Sequence, residues 1–349
     1  MAEHTGRGEH EMTEHAVRMR ALLHGQIVSR ALCVVAELGL ADELRDGPRT
    51  AEELAARVSA HPGAVRRLLR ALSAFDVFAA DADGAFRLTP LGATLCEDAP
   101  GSARPTALLL GGPVGTAWTR LGHTARTGGS AFTDAFGTGF FEHLTGEPEL
   151  NATFDRSQAE GLRVELDEVF GAVDFTPYRR IVDVGGGDGE LLARLLEGVP
   201  GAHGRLLDLP GTVARAAGRL AARGLAGRCS LVAGDFFAEV PSGGDLYLLS
   251  HVLHDWDDER AVDILRVCRT AMPPDATLMV IDLLPDGGTD DSSRFAAGMD
   301  LYLMSLFGGD GGGERGDEAV RRLLRDAGLE PRSTLRLPSG MGVVTAGRP

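Results

Sequence analysis

The chain has 349 residues, 44% of them hydrophobic, with 35 basic side chains against 50 acidic ones and a formal net charge of -15. That length suits two domains that each bury a core, and the apolar share excludes a disordered or collagen-like chain. The acidic balance argues against nucleic acid or an anionic membrane as partner, and no apolar run approaches a membrane span.

The opening MAEHTGRGEHEMTEH is polar, lacks the apolar stretch of a secretory signal, and is expected to be a frayed tail over 1–15. Cys33, Cys96, Cys229 and Cys268 lie far apart without a CxxC pair, which fits reduced thiols in a cytoplasmic protein. Every basic residue is an arginine, so no lysine is available as a base. Residues 16–46 carry Ile27, Val28, Ala31, Leu32, Val34, Val35 and Leu38 at helical spacing, with Gly39 as a stop and a short second helix at LGLADEL. Thr50 with Glu53 three residues on forms a capping box for the next helix. AVRRLLRALSAFDVF then reads as an amphipathic helix, and Asp83-Gly84 marks a hairpin.

Helices followed by a hairpin make a winged-helix-like domain over 16–110. One reading is a ligand-sensing DNA-binding regulator that uses Arg66, Arg67 and Arg70. The other is a dimerisation scaffold with a solvated arginine face. Residues 1–110 hold 12 arginines against 15 acids, a net of -3, whereas a nucleic-acid module is normally basic. Residues 111–176 read as a helical connector with glycine breaks. Its Trp118, Phe132, Phe136, Phe140, Phe141 and Phe154 suit either ordinary core or a pocket wall.

From Tyr178 strands alternate with helices, the pattern of a doubly wound α/β sheet over 177–349. Ligands bind such sheets beyond the strand C-termini, near the point where strand order reverses. Asp183-Val184-Gly185-Gly186-Gly187-Asp188-Gly189 ends the first strand. Gly185 and Gly187 fit a cofactor loop, but the third glycine of a dinucleotide fingerprint is replaced by Glu190, which would repel a pyrophosphate. A ligand without phosphates, carrying an ammonium or sulfonium near Asp183 and Asp188, fits better. Asp208 ends the second strand, placed for ribose hydroxyls, and Asp235 with Phe236 ends the third, placed for adenine. The combined ligand is S-adenosylmethionine.

Ser250-His251-Val252-Leu253-His254-Asp255-Trp256 follows the fourth strand at the same edge, where His254 is placed as a general base. Asp282, ending the fifth strand, and Glu314, in GGDGGGERGD, are candidates to orient it. His251 reads as structural or pocket-lining. A metal site using His251, His254 and Asp255 is the competing reading, although methyl transfer itself needs no metal.

These motifs resemble the plant-type small-molecule O-methyltransferases, above all the bacterial branch that tailors antibiotics and related natural products. DVGGGDG, the DLP of Asp208-Leu209-Pro210, GDFF, HVLHDWDDE, MDLYLM and GGGER carry the likeness, and the N-terminal part matches too. The resemblance implies a class I methyltransferase domain with an N-terminal dimerisation domain that helps close the partner's pocket, and a homodimer that binds no nucleic acid or membrane. It implies that Asp183, Gly185, Gly187, Asp208, Leu209, Asp235, Phe236 and Ser250 bind S-adenosylmethionine. His254 falls on the family's base, and Asp282 and Glu314 on its two supporting acids. Asp255, Met299, Asp300 and Met304 line the pocket of an aromatic acceptor, methylated on a phenolic or enolic hydroxyl. Ser250 stands where plant members often carry a lysine, and Gly316 where a threonine is usual. The added glycines before Glu314 leave its reach toward His254 open. Relatives that methylate carbon, or keep the cofactor without transferring its methyl group, are the alternatives within the fold.

Overall fold

The structure is a computed structural model that describes residues 2–349. These fall into two compact units that divide between Gly112 and Pro113. The segment read as a connector therefore belongs to the second unit, because its helices pack on that unit's α14.

In the first unit, α1 (Ala2–Glu37) runs through most of the segment expected as a tail; no proline interrupts it, and Gly39 at φ 68° ends its approach. Residue 1 lies outside the described residues. The expected second helix shrinks to one 3-10 turn at Asp42–Leu44. The capping box forms as read: Glu53 donates its N–H to Thr50, and the Glu53 side chain accepts from the Thr50 N–H at the start of α2 (Ala51–Arg57). α3 (Pro62–Ser73) turns Val65, Leu69 and Leu72 inward onto Leu40, Leu44, Leu54 and Phe78. β1 (Phe78–Ala80) and β2 (Phe86–Leu88) pair antiparallel as the wing, followed by α4 (Pro90–Ala93) and α5 (Arg104–Gly111). Arg66 on α3 is spent on an ion pair with Glu52.

The second unit begins with the short helices α6 (Pro113–Trp118), α7 (Leu121–Thr127), α8 (Ala131–Phe136) and α9 (Phe140–Gly146), then α10 (Pro148–Ala172). Phe132 and Phe140 are buried and meet edge to face at 5.2 Å, as do Phe140 and Phe154. Phe132 and Phe140 are core and Phe154 is partly buried against them, in a packing geometry that aromatic quadrupoles favour. The sheet strands are β3 (Arg180–Val184), β4 (His203–Asp208), β5 (Cys229–Ala233), β6 (Leu246–Ser250) and β7 (Thr277–Leu283). Helices α11 (Glu190–Gly198), α12 (Pro210–Ala222) and α13 (Asp258–Ala271) connect them. α14 (Asp291–Phe307) and α15 (Asp317–Asp326) lead to β8 (Glu330–Arg336) and β9 (Met341–Gly347).

Among the described residues the sheet has seven strands in the order β5-β4-β3-β6-β7-β9-β8. The first five are mutually parallel, and β9 joins β7 antiparallel with β8 outside it, so the sheet is mixed rather than wholly parallel. Central strands covered on both faces are apolar throughout: Leu246, Tyr247, Leu248 and Leu249 of β6 are all fully buried. The chain leaves β3 toward β4 and β5, then returns to place β6 on the other side of β3. The reversal opens a crevice at the C-terminal ends of β3 and β6.

Candidate active site

The glycine turn and the histidine segment both lie at that crevice. Gly185, Gly187 and Gly189 all take positive φ, and a Cβ on Gly185 would come within 2.8 Å of Val252. Glycine is therefore required for the turn to lie against the histidine segment. Gly187 donates its N–H to Asp208 Oδ2 at 2.9 Å, and Leu209 donates its own to Asp208 Oδ1 at 2.7 Å, so β4's terminal acid is fixed to the loop. Ionised oxygens each keep a second acceptor site, so Asp208 retains capacity for hydroxyl groups. Leu209 is exposed beside it. Asp235 is exposed at the end of β5 and accepts the Phe237 N–H at 2.9 Å. Phe236 lies over Gly185 and meets Trp256 edge to face at 6.0 Å.

Two acids at the loop, Asp188 and Glu190, behave differently from the expectation. Asp188 pairs with Arg219 at 2.5 Å and does not await a cation. Glu190 is buried and held by Arg219 at 2.8 Å and Arg223 at 3.3 Å. Its charge is neutralised from α12, and the argument that it repels a pyrophosphate fails on that ground. Asp183 is buried beneath Gly186, with Oδ2 lacking any hydrogen-bond partner. Burial and the nearby Asp208 push its carboxyl up to about 7.

His254 sits in a 3-10 turn (Leu253–Asp255) just beyond β6, and is buried. Its Nδ1 lies 2.7 Å from Asp282 Oδ1 at the end of β7 and 3.6 Å from Glu314 Oε1. Asp255 Oδ1 is 3.5 Å from the other nitrogen, Nε2. Burial pulls the His254 pKa down, but Asp282, Asp255 and Glu314 together carry it well above 6.5. Asp282 is pushed up by burial and more than offset by the His254 charge, so its carboxyl is held below the usual range. Burial raises Glu314, and burial lifts Asp255 to about 6. His251, His254 and Asp282 bring three donor atoms within 4.8 Å, in place of the expected trio with Asp255. The 2.7 Å contact is a hydrogen-bond distance; two ligands sharing a zinc ion through bonds of about 2 Å stand roughly 3.3 Å apart.

The added glycines are what bring Glu314 to His254. A Cβ on Gly312 would overlap the His254 carbonyl oxygen and come within 2.6 Å of the Asp255 carbonyl carbon; one on Gly311 would overlap the Phe307 carbonyl. The loop thus crosses directly over the histidine turn. Asp300 on α14 is exposed and accepts the Glu314 N–H at 3.1 Å, so it ties this loop and does not point into a pocket. Met299 and Met304 are partly buried on the same helix. Arg315, not singled out from the sequence, donates to the Leu253 and Trp256 carbonyls at 2.7 and 2.5 Å and to Asp258 at 2.8 Å, clamping the histidine turn. Its position beside Glu314 was the available signal. Glu165 on α10, 2.9 Å from His251 Nε2, was also missed; no local motif marks it.

Residues 118–330 match the O-methyltransferase domain and residues 21–98 the O-methyltransferase dimerisation domain. The chain belongs to the O-methyltransferase family. It is 50% identical to O-methyltransferase SfmM3 of Streptomyces lavendulae, over 95% of this chain and 99% of that protein. The crystal structure of LaPhzM superposes with a TM-score of 0.90 at 36% identity, covering 96% of this chain and 99% of that one. The neocarzinostatin-biosynthesis O-methyltransferase NcsB1, solved with S-adenosylmethionine and 2-hydroxy-5-methyl naphthoic acid, does so with 0.78 at 34% identity, over 92% and 96%. This O-methyltransferase uses S-adenosylmethionine. The residues present fit that cofactor: Asp183 Oδ2 and Ser250 Oγ at the crevice are buried polar atoms without partners, capacity that a ligand bearing a cation and hydroxyls takes up.

Two substitutions test this geometry. Gly312→Ala lifts the loop off the histidine turn and should lower kcat about tenfold or more while the fold is retained by circular dichroism; unchanged turnover contradicts the packing. Asp183 is raised above its unfolded value of about 3.9, so its ionisation opposes folding increasingly from pH 4 to 7 and fully above. Asp183→Asn should therefore stabilise the ligand-free protein at pH 8, by up to roughly 4 kcal/mol, with the gain vanishing toward pH 4. Urea midpoints at the two pH values measure it, and a loss of stability at pH 8 contradicts it.

Proposed function

We propose that this O-methyltransferase methylates a phenolic or enolic hydroxyl of an aromatic metabolite, with His254 as the general base. The observation that carries the reading is the 2.7 Å contact of His254 Nδ1 with Asp282. With Nδ1–H donated to that carboxylate, the free lone pair is on Nε2, which takes the acceptor's proton. Glu314 and Asp282 stabilise the imidazolium that results. Deprotonating a phenol of pKa about 10 at pH 7 costs roughly 4 kcal/mol, and a neutral imidazole held against the hydroxyl removes much of that.

S-adenosylmethionine, when bound, supplies a methyl group on a positively charged sulfur. Gly185 and Gly187 cradle it, Asp183 and Ser250 offer it their unpartnered oxygens, Asp208 and Leu209 hold the ribose, and Asp235 and Phe236 frame the adenine. Met299 and Met304 face the acceptor, whose apolar rings suit thioether side chains. Asp255 stands beside Nε2, where it orients the acceptor hydroxyl. Asp300 acts by holding the Glu314 loop.

His254→Gln is expected to lower kcat roughly 100-fold or more while S-adenosylmethionine binding by calorimetry persists. In the unaltered enzyme, kcat rises with pH through the raised His254 pKa, since only the neutral ring accepts a proton. Full turnover by the variant refutes the base role.

We further propose a homodimer built on α1. Met12, Val17, Met19, Leu22, Leu23 and Ile27 leave more than half of their surfaces exposed on this one helix, and Leu22, Leu23 and Ile27 lie within the region matched to the dimerisation domain. The paired substitution Leu23→Glu with Ile27→Glu should shift the sedimentation coefficient to that of a monomer; an unshifted dimer contradicts the assignment.

A further inference from the structure

A second histidine stands against the same carboxylate as His254, held from the opposite side by an acid of its own. His251 is one of three non-glycine residues with positive φ among the described residues, at 54°, a conformation that a β-carbon disfavours and that persists only where neighbours impose it. Its N–H donates to the Ile281 carbonyl at 3.0 Å, which anchors it to β7 one residue before Asp282. The ring then lies with Nδ1 3.8 Å from Asp282 Oδ1 and Nε2 2.9 Å from Glu165 Oε2 on α10. The two imidazoles meet edge to face, 5.5 Å between centroids. No step assigned to His254 uses this strained, paired side chain.

We infer that His251, held by Glu165, is a positioning residue that sets the pH window of the base by sharing Asp282 with His254. The inference rests on the reading of His254 as base. The groups around the pair come from every packed element: Glu165 from α10, Asp255 beside His254, Asp282 from β7, Tyr302 from α14 through Asp255, and Glu314 from the crossing loop. Three of these carboxylates, Asp282, Asp255 and Glu314, face His254 and favour its cation. Left alone they would hold the ring protonated and useless as a base. Burial opposes a charge on His251, Glu165 and then Asp282 restore it, and the His254 cation opposes it; by the same repulsion a charge on His251 opposes the cation of His254. The His251 charge between Glu165 and Asp282 therefore returns His254 to its neutral, proton-accepting form at lower pH.

The test replaces His251 by asparagine, which tolerates positive φ better than other side chains, and separately replaces Glu165 by glutamine. The His254 ring is followed by nitrogen-15 NMR titration, and kcat by its pH profile, both with S-adenosylmethionine binding as the check on folding. His251→Asn is expected to raise the His254 pKa by about one unit or more, and Glu165→Gln to raise it by less. The acidic limb of kcat moves up with it, and turnover recovers at high pH. An NMR pKa that is unmoved or lowered in both variants overturns the inference, as does a uniform loss of kcat at every pH without such a shift. If the NMR pKa rises while the limb stays fixed, the coupling stands and the assignment of His254 as base falls.

Discussion

The hydrogen bond between Asp282 and His254 joins the ends of two adjacent parallel strands, and the site depends on it. β6 delivers the histidine turn and β7 the carboxylate, and their register at Ser250 and Ile281 brings the two side chains to 2.7 Å. A buried imidazole with its Nδ1–H donated to a buried carboxylate has one tautomer and one orientation. A chemically useful lone pair then exists only at Nε2. Loss of either partner leaves an uncompensated buried charge or an unsatisfied ring nitrogen, which explains why the neighbourhood is so heavily cross-braced.

The bracing comes from backbone and guanidinium contacts. Arg315 ties the histidine turn to its own loop through two carbonyls and Asp258. Gly311 and Gly312 let that loop lie on bare backbone, and Asp300 catches it by the Glu314 N–H. At the end of β3, the glycine turn is fixed through Asp208, and its flanking charges are neutralised by Arg219 and Arg223 from α12. Asp183 is the exception. It is buried without a donor, a cost to the ligand-free fold of the kind active sites carry where a ligand supplies what the protein withholds.

Much of this was legible in the sequence because the decisive signals are local. Strand-to-helix alternation located the ends of β3, β4, β5 and β6, and an acid or histidine at each end sits where a doubly wound sheet binds its ligand. The capping box at Thr50 and the hairpin at Asp83-Gly84 are likewise decided by neighbouring residues. What escaped depends on distant contacts. Glu165 is one acid among several on α10 until the fold carries it to His251. The neutralisation of Glu190 requires two arginines from another helix. β8 and β9 went unread because Pro331, Gly340 and Gly342 disguise strands whose partner, β7, makes them possible. The extra glycines near Glu314 invited doubt, since only the crossing over His254 shows why a side chain is forbidden there.

The most direct measurement of whether Asp282 acts through His254 is a double-mutant cycle on kcat. His254→Ala, Asp282→Asn and the double variant are compared with the unaltered enzyme at one pH with saturating S-adenosylmethionine. If the carboxylate works only by orienting and charging the base, adding Asp282→Asn to His254→Ala costs nothing further, and the two losses are strongly non-additive. Losses that multiply would mean that the two residues act independently, contrary to the 2.7 Å contact as the organising interaction of the site.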